Sequence, residues 1–384
     1  MRLKMLLLIM LALSFVATVQ AQLTPTPAPF PELEPITLEN ASRLVELPGT
    51  LTDVNQGYDV SPDGKQIAVA RPDGVYIYDV GSFENPAKIF AVEDADQVYG
   101  PQFNPDGTQL SISTIGLIPE GQITQLWDVE TEKLIQAFTS GSGNPLNGRA
   151  FFSPNGQFIT GATTPAYTCT GGCDPASGLW LWAIDAPDTP LCYGYNCYGR
   201  YGIVDFDYTP DSKILLWNRF DFTGHIETGE YYWNAFDFLT QDSTDGSGLP
   251  GTLGDHFDNR TGPFAGEIDA IQFRPDGKIL WTHNDKTDFG SLWDVETGTL
   301  KLSLLPGTRF GGFLPDNLIV VADDNQHVEY LLQIDTGRRA TLFENPDEKV
   351  SIFPATDDGN LFVWWEDFET IHFYGVPTES KSTL

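Results

Sequence analysis

The sequence predicts an all-β fold assembled from repeated antiparallel hairpin units. Three observations carry that prediction. A Pro-Asp-Gly-like turn returns seven times, a Trp-Asp-like pair follows each turn after one more strand, and 12% aromatic residues with 37 Gly and 27 Pro suit short strands joined by tight turns. At 41% hydrophobic and 19% charged, the chain is neither a disordered polyelectrolyte nor a coiled coil.

From the amino terminus, residues 1–21 carry Arg2 and Lys4, an apolar run from Met5, and the ending Val19-Gln20-Ala21. This is the layout of a secretory signal peptide, and an apolar run of about 15 residues falls short of the roughly 20 that span a bilayer. Cleavage after Ala21 would remove two cations and no acid, taking the formal charge from −32 to −34. Residues 22–36 read as a linker, because five prolines between Leu23 and Pro35 favour extended polyproline chain. The domain 37–384 is therefore expected to be secreted or periplasmic, with no membrane span once the leader is gone.

The turn copies are Ser61-Pro62-Asp63-Gly64, Asn104-Pro105-Asp106-Gly107, Ser153-Pro154-Asn155-Gly156, Thr209-Pro210-Asp211-Ser212, Arg274-Pro275-Asp276-Gly277, Leu314-Pro315-Asp316-Asn317, and a degenerate Phe353-Pro354 with Asp357-Asp358-Gly359. Their prolines are spaced by 43, 49, 56, 65, 40 and 39 residues, a unit of 40 to 45 with insertions. Ser or Asn first, Pro second and Gly fourth satisfy a type I turn, so each copy should join two antiparallel strands. The second signature runs Tyr78-Asp79, Trp127-Asp128, Trp182 with Asp185, Phe236-Asp237, Trp293-Asp294, Ile334-Asp335 and Phe373-Tyr374.

Between residues 43 and 377 this pattern resembles the WD40 repeat family, with its strand, SPDG turn, strand and LWD-x-x-TG. The Gly-His dipeptide and most of the family's Asp-His-Ser-Trp set are missing. The resemblance implies a seven-bladed β-propeller of four-stranded blades, in which each blade buries both faces against its neighbours. The last unit ends at Thr370 to Val376, one strand short, while Arg43 to Leu47 is a spare strand. The amino-terminal strand is expected to complete the last blade and latch the ring.

In such a meander the short turns share one face, and the second-to-third-strand loops and inter-blade connections share the other. The long stretches, Ser140 to Gly148, Thr163 to Ser177, Asn196 to Gly202, Asn218 to Gly229, Thr240 to Glu267 and His283 to Phe289, all fall on that second face. It is the candidate binding surface. It would carry Tyr167, Tyr195, Tyr198, Arg200, Tyr201, His225, His256, Phe257, Arg260, Phe264 and His283, an aromatic and Arg mix suited to protein or glycan contacts. Tyr76, Trp180, Trp182, Trp217 and Trp281 read as packing between blades.

Cys169, Cys173, Cys192 and Cys197 cluster in one unit, and an exported chain with an even count is expected to pair them as disulfides, in one of three ways. Spacings of three and four residues do not suit a four-thiolate zinc site. Gly-x-Ser-x-Gly, His-Glu-x-x-His and phosphate-loop motifs are absent. No cofactor is expected beyond a weak Ca²⁺ site, for which Asp205, Asp207 and Asp211 or Asp323 and Asp324 offer carboxylates. With 53 acids against 21 Lys and Arg, nucleic acid is an unsuitable partner. The reading is a monomeric, non-catalytic interaction scaffold. The alternative is a propeller enzyme, a lactonase or glycan-active, with acids and His around the central channel.

Overall fold

The computed structural model describes residues 30–54, 56–92, 95–116, 123–139, 150–162, 179–186, 191–193, 201–221, 230–237, 242–244, 268–284, 287–344, 352–367 and 369–378. Two short strands come first, β1 (Leu33–Glu34) and β2 (Val45–Leu51), separated by a 3-10 turn at Ala41–Arg43. Six four-stranded antiparallel sheets follow in chain order. They comprise β3 (Tyr58–Val60), β4 (Gln66–Arg71), β5 (Gly74–Asp79) and β6 (Lys88–Ala91), then β7 (Ala95–Phe103), β8 (Gln109–Gly116), β9 (Ile123–Asp128) and β10 (Lys133–Thr139). The third holds β11 (Phe151–Phe152), β12 (Phe158–Ala162), β13 (Leu179–Ala183) and β14 (Leu191–Tyr193), and the fourth β15 (Tyr201–Tyr208), β16 (Ile214–Asp221), β17 (Glu230–Asp237) and β18 (Asp242–Thr244). The fifth holds β19 (Ala270–Phe273), β20 (Ile279–Asn284), β21 (Phe289–Asp294) and β22 (Leu300–Leu304), and the sixth β23 (Thr308–Leu314), β24 (Leu318–Asp323), β25 (Val328–Gln333) and β26 (Arg339–Glu344). A last sheet joins β27 (Ile352–Pro354), β28 (Leu361–Glu366) and β29 (Thr370–Pro377) to β1 and β2.

The turn chemistry explains the first hairpin of each unit. In the first copy the Gly64 N–H donates to the Ser61 carbonyl, Ser61 Oγ accepts the Gln66 N–H, and Asp63 accepts the Lys65 N–H. The same three bonds recur at Asn104, Asp106 and Gly107, and at Thr209, Asp211 and Ser212. Two copies depart from expectation. The last turn is Thr356-Asp357-Asp358-Gly359, with Asp357 in the proline position, and Pro354 belongs to the strand before it. In the sixth, Asp316 and Asn317 both take left-handed φ, 58° and 57°, and Leu318 donates back to Pro315, a tighter hairpin that Asp and Asn tolerate.

The last sheet corrects the expectation of uniform four-stranded units: it has five strands. β2 pairs antiparallel with β29, Val45 opposite Gly375 and Leu51 opposite Ile371, and β1 continues along β29 with Leu33 opposite Pro377. The pairing runs past the expected Arg43 to Leu47 because Arg43 closes the 3-10 turn instead. Part of the expected linker, 22–36, is thus packed. Phe30 touches Phe83 and Phe373 at 5.9 and 5.6 Å between ring centroids, and Ile36 is buried. Residues 201–202 and 218–221, expected in loops, extend β15 and β16, and 242–244 form the outer strand β18.

Sheets pack on their chain neighbours through apolar faces. Phe90 and Val75 meet Leu110 and Ile112; Leu126 and Phe138 meet Ile159 and Trp182; Leu216 meets Ile271 and Leu280. Leu292 and Leu304 meet Ile319 and Leu332, Leu331 meets Phe362, and Phe373 and Val363 meet Ile67 and Val69. Between the third and fourth sheets, Thr160 and Tyr208 share a hydroxyl–hydroxyl bond and Phe151 meets Phe206 edge-on. Successive turns also touch: Gly107 lies over Pro62, Gly156 over Pro105, Gly277 over Pro210 and Gly359 over Pro315, while Asn155 donates to Ser212 and Arg274 to Asn317. Gly64 lies against Thr356, and with φ of +69° and a Cβ that would come within 2.9 Å of the Thr356 methyl it tolerates no side chain.

His372 on β29 ties the amino-terminal strand into this sheet. Its Nδ1 lies 2.9 Å from Glu46 on β2 and its Nε2 3.0 Å from Glu366 on β28, with the ring stacked on Trp364. Burial opposes the charged ring, but the two carboxylates outweigh it and raise its pKa. A raised folded-state pKa stabilises most below the unfolded value near 6.5, and that contribution fades as pH rises through the folded value. His372→Gln is therefore expected to cost stability at pH 5.5 and little at pH 9, read from urea melts at both. Equal losses at the two pH values would refute the charged clamp.

Candidate functional site

Of the residues expected on the binding face, Tyr167, Tyr195, Tyr198, Arg200, His225, His256, Phe257, Arg260 and Phe264 lie outside the described residues. So do Cys169, Cys173 and Cys197, while the Cys192 backbone pairs opposite Trp180. The Tyr201 backbone pairs with Asp221 at the start of β15. His283 is described in full, and it borders a recess.

The recess, about 240 Å³, is lined among the described residues by Trp281 and His283 from β20, Thr308, Arg309, Phe310 and Gly311 from β23, Val320 and Ala322 from β24, Glu329 from β25, and Ile352 and Phe353 from β27. It opens where β20 and β24 end and β23, β25 and β27 begin. Trp281 and Phe310 stack at 4.6 Å, and Phe313 meets Phe310 edge-on at 4.9 Å. Gly311 lets this wall form, since a Cβ there would meet the Val320 side chain at 2.9 Å. Phe353 stays 38% exposed at the opening, and Phe289 and Leu305 of the fifth sheet are exposed on the same face.

The polar rim is paired. Arg309 Nε and Nη2 straddle Asp324, with the shortest contact 2.7 Å. His283 Nδ1 lies 2.9 Å from Asp269 and its Nε2 3.5 Å from Asp288. Glu329 is buried at the base and accepts the Ile352 N–H on both carboxylate oxygens at 3.1 Å. Trp281, expected from the sequence to pack between blades, does pack between the fifth and sixth sheets against Phe310, whereas Arg309 and Phe310 were not singled out. Their position directly after Pro306-Gly307, at an inter-sheet connection, was the available signal.

Glu329 belongs to a wider pattern along the innermost strands. The first strand of a sheet has one edge unpaired by its own sheet, and in β7, β11, β19 and β27 a side chain of the preceding sheet caps an N–H group there. Asp59 accepts from Phe103, Gln102 from Phe152, Asp205 from Ile271 and Asp207 from Phe273, at 2.7 to 3.1 Å. The other oxygens of Asp205 and Asp207 accept the free-edge N–H groups of Phe206 and Tyr208 on their own strand. Pro354, two residues after the capped Ile352, needs no acceptor. Burial lifts Asp205 to about 6 and Asp207 to about 7, against the pull of those N–H donors.

The acids noted in the sequence as carboxylates for a weak Ca²⁺ site make contacts of their own. Asp211 pairs with Lys213 at 2.7 Å, Asp323 accepts from Asn325 and Gln326, and Asp324 holds Arg309. Among the described residues no group of three His, Cys, Asp or Glu is placed to hold a metal, and no helix is long and apolar enough to cross a membrane.

No family model and no curated protein sequence matches the chain. Solved structures do. The β-propeller domain of Cps50 (Swd1) from Myceliophteria thermophila is similar over 86% of this chain and 98% of that domain, with a TM-score of 0.56 and 14% identity. The chain has a WD40-like β-propeller fold. A chain in the crystal structure of the mitotic checkpoint complex is similar over 90% of this propeller and 96% of its own length, with a TM-score of 0.53 and 13% identity. At these identities the likeness concerns the fold alone. Among the described residues, Trp293 Nε1 donates to Thr282 Oγ1 at 2.9 Å, a Trp-to-hydroxyl contact between β21 and β20. The aspartates of Trp127-Asp128 and Trp293-Asp294 cap their own turns through Thr131 and Thr297.

Proposed function

We propose that this propeller is an extracytoplasmic, non-catalytic scaffold that docks a protein partner on the face bearing the recess. The observation that carries the reading is the recess itself: an aromatic wall with Arg and His at its rim, held by rigid strands, is the composition of a protein-binding hot spot. The signal-peptide-like segment 1–21 supports the location. That one of the similar structures is named as part of a complex agrees with a partner-binding role. The reading includes a ring of seven blades closed by the amino-terminal strand. It draws support from the turn-to-turn contacts that lead from Gly64 round to Thr356 and from the pairing of β2 with β29. A single soluble copy is the proposed working form.

The test uses the mature protein as bait for the native extracellular fraction, in three forms: wild type, Phe353→Asp at the recess, and Lys65→Glu on the opposite, short-turn face. Partner capture is expected to survive Lys65→Glu and to disappear with Phe353→Asp. The reverse pattern would assign docking to the short-turn face and overturn the reading.

A further inference from the structure

The shape and charge of the recess specify what it takes. Resting on the docking reading above, we propose that it receives one aromatic side chain from a partner segment in which that residue is flanked by Lys or Arg.

Size comes first. A dry apolar cavity of about 150 Å³ accommodates benzene, so about 240 Å³ suits a single ring with its methylene and excludes a folded element. The walls come second. Trp281 and Phe310, stacked on each other, and the partly exposed Phe353 line it, and an entering ring is favoured in offset or edge-on geometry against such rings.

Charge selects the flanks. Asp269 and Asp288 flank the lining residue His283, and Asp324 pairs with Arg309, the one Lys or Arg lining the recess among the described residues. The rim is therefore acidic on balance among the described residues, within a chain of net charge −32. A partner segment with basic residues beside its aromatic anchor meets this rim favourably, and an acidic one is repelled.

The experiment titrates the mature protein by calorimetry with three capped pentapeptides, Lys-Lys-Phe-Lys-Lys, Lys-Lys-Ala-Lys-Lys and Glu-Glu-Phe-Glu-Glu. The first should bind saturably and each of the others at least tenfold more weakly, with the first losing affinity as salt rises. Phe310→Ala and the more exposed Phe353→Ala should each weaken the first peptide tenfold; the second guards against misfolding of the first. Three results would overturn the proposal: equal binding of both lysine peptides, which leaves charge alone; affinity unchanged in Phe353→Ala; or saturable binding of cellobiose with none of the peptides, which marks a glycan site. Loss of native-partner capture by Phe353→Asp together with no peptide binding would reject this partner chemistry and leave the docking face standing.

Discussion

A chain beginning at Gln56 is expected not to fold. It lacks β1 and β2, and with them the buried side chains of Ile36, Leu44, Leu47, Leu51 and Val54. At about 1.5–3 kcal/mol for each fully buried aliphatic side chain, an upper bound, the loss rivals the roughly 5–15 kcal/mol that holds a typical domain together. It also bares the long edge of β29, with Ile371 and Phe373 beneath it, and such an edge invites pairing between copies. The measurement is soluble yield and thermal unfolding of the truncated chain, alone and with a synthetic peptide of residues 30–54. Rescue by the peptide is the expected result. An unchanged melting temperature without it would show that the last sheet stands on three strands.

Asp207→Ala is expected to be the most costly single substitution along the inner strands. It leaves the N–H groups of Phe273 and Tyr208 without their acceptor, at about 1–3 kcal/mol for each buried donor. Both donors lie on buried residues, so the two together come to about 2–6 kcal/mol. The loss should depend on pH in a stated direction. Burial raises Asp207 to about 7 from 3.8, so the folded state holds its proton more tightly than the unfolded state. Its favourable contribution is complete below pH 4 and declines as pH rises through about 7. The gap between wild type and variant should therefore be wider at pH 4.5 than at pH 8, in paired denaturant melts. A gap that widens towards pH 8 would mean that the N–H donors outweigh burial and keep the carboxylate ionised.

The hairpins were legible because they are local. Ser61 to Gln66 contains every group that closes its own turn, so residue type at fixed spacing is sufficient information. The same locality explains the misreading of the last turn: Pro354 imitated the turn proline, whereas Thr356 supplies the first-position oxygen. The caps between sheets were illegible for the opposite reason. Asp205 and Asp207 reach partners 66 residues onward, at a separation set by the inserted connection, and in a chain with 53 acids they looked like coincidence. The recess shares that difficulty, since Trp281, Phe310, Glu329 and Phe353 come from three sheets and none is unusual in its own strand.

The last sheet also sets a clock. The Arg43 guanidinium meets the Pro377 carbonyl at 2.6 Å and Thr378 donates to the Glu32 carbonyl at 2.8 Å, so the earliest described residues find their partners only when the final ones have been synthesised. Until then β2 has no strand to join, and each completed hairpin stack still has an open flank. Contacts this distant along the chain close slowly, because loop entropy must be overcome before they are rewarded. Docking of the amino-terminal strand thus waits for the synthesis of residues 370–377. The interval between release of residue 377 and docking of residues 45–51 is when it is most exposed to proteolysis and self-association.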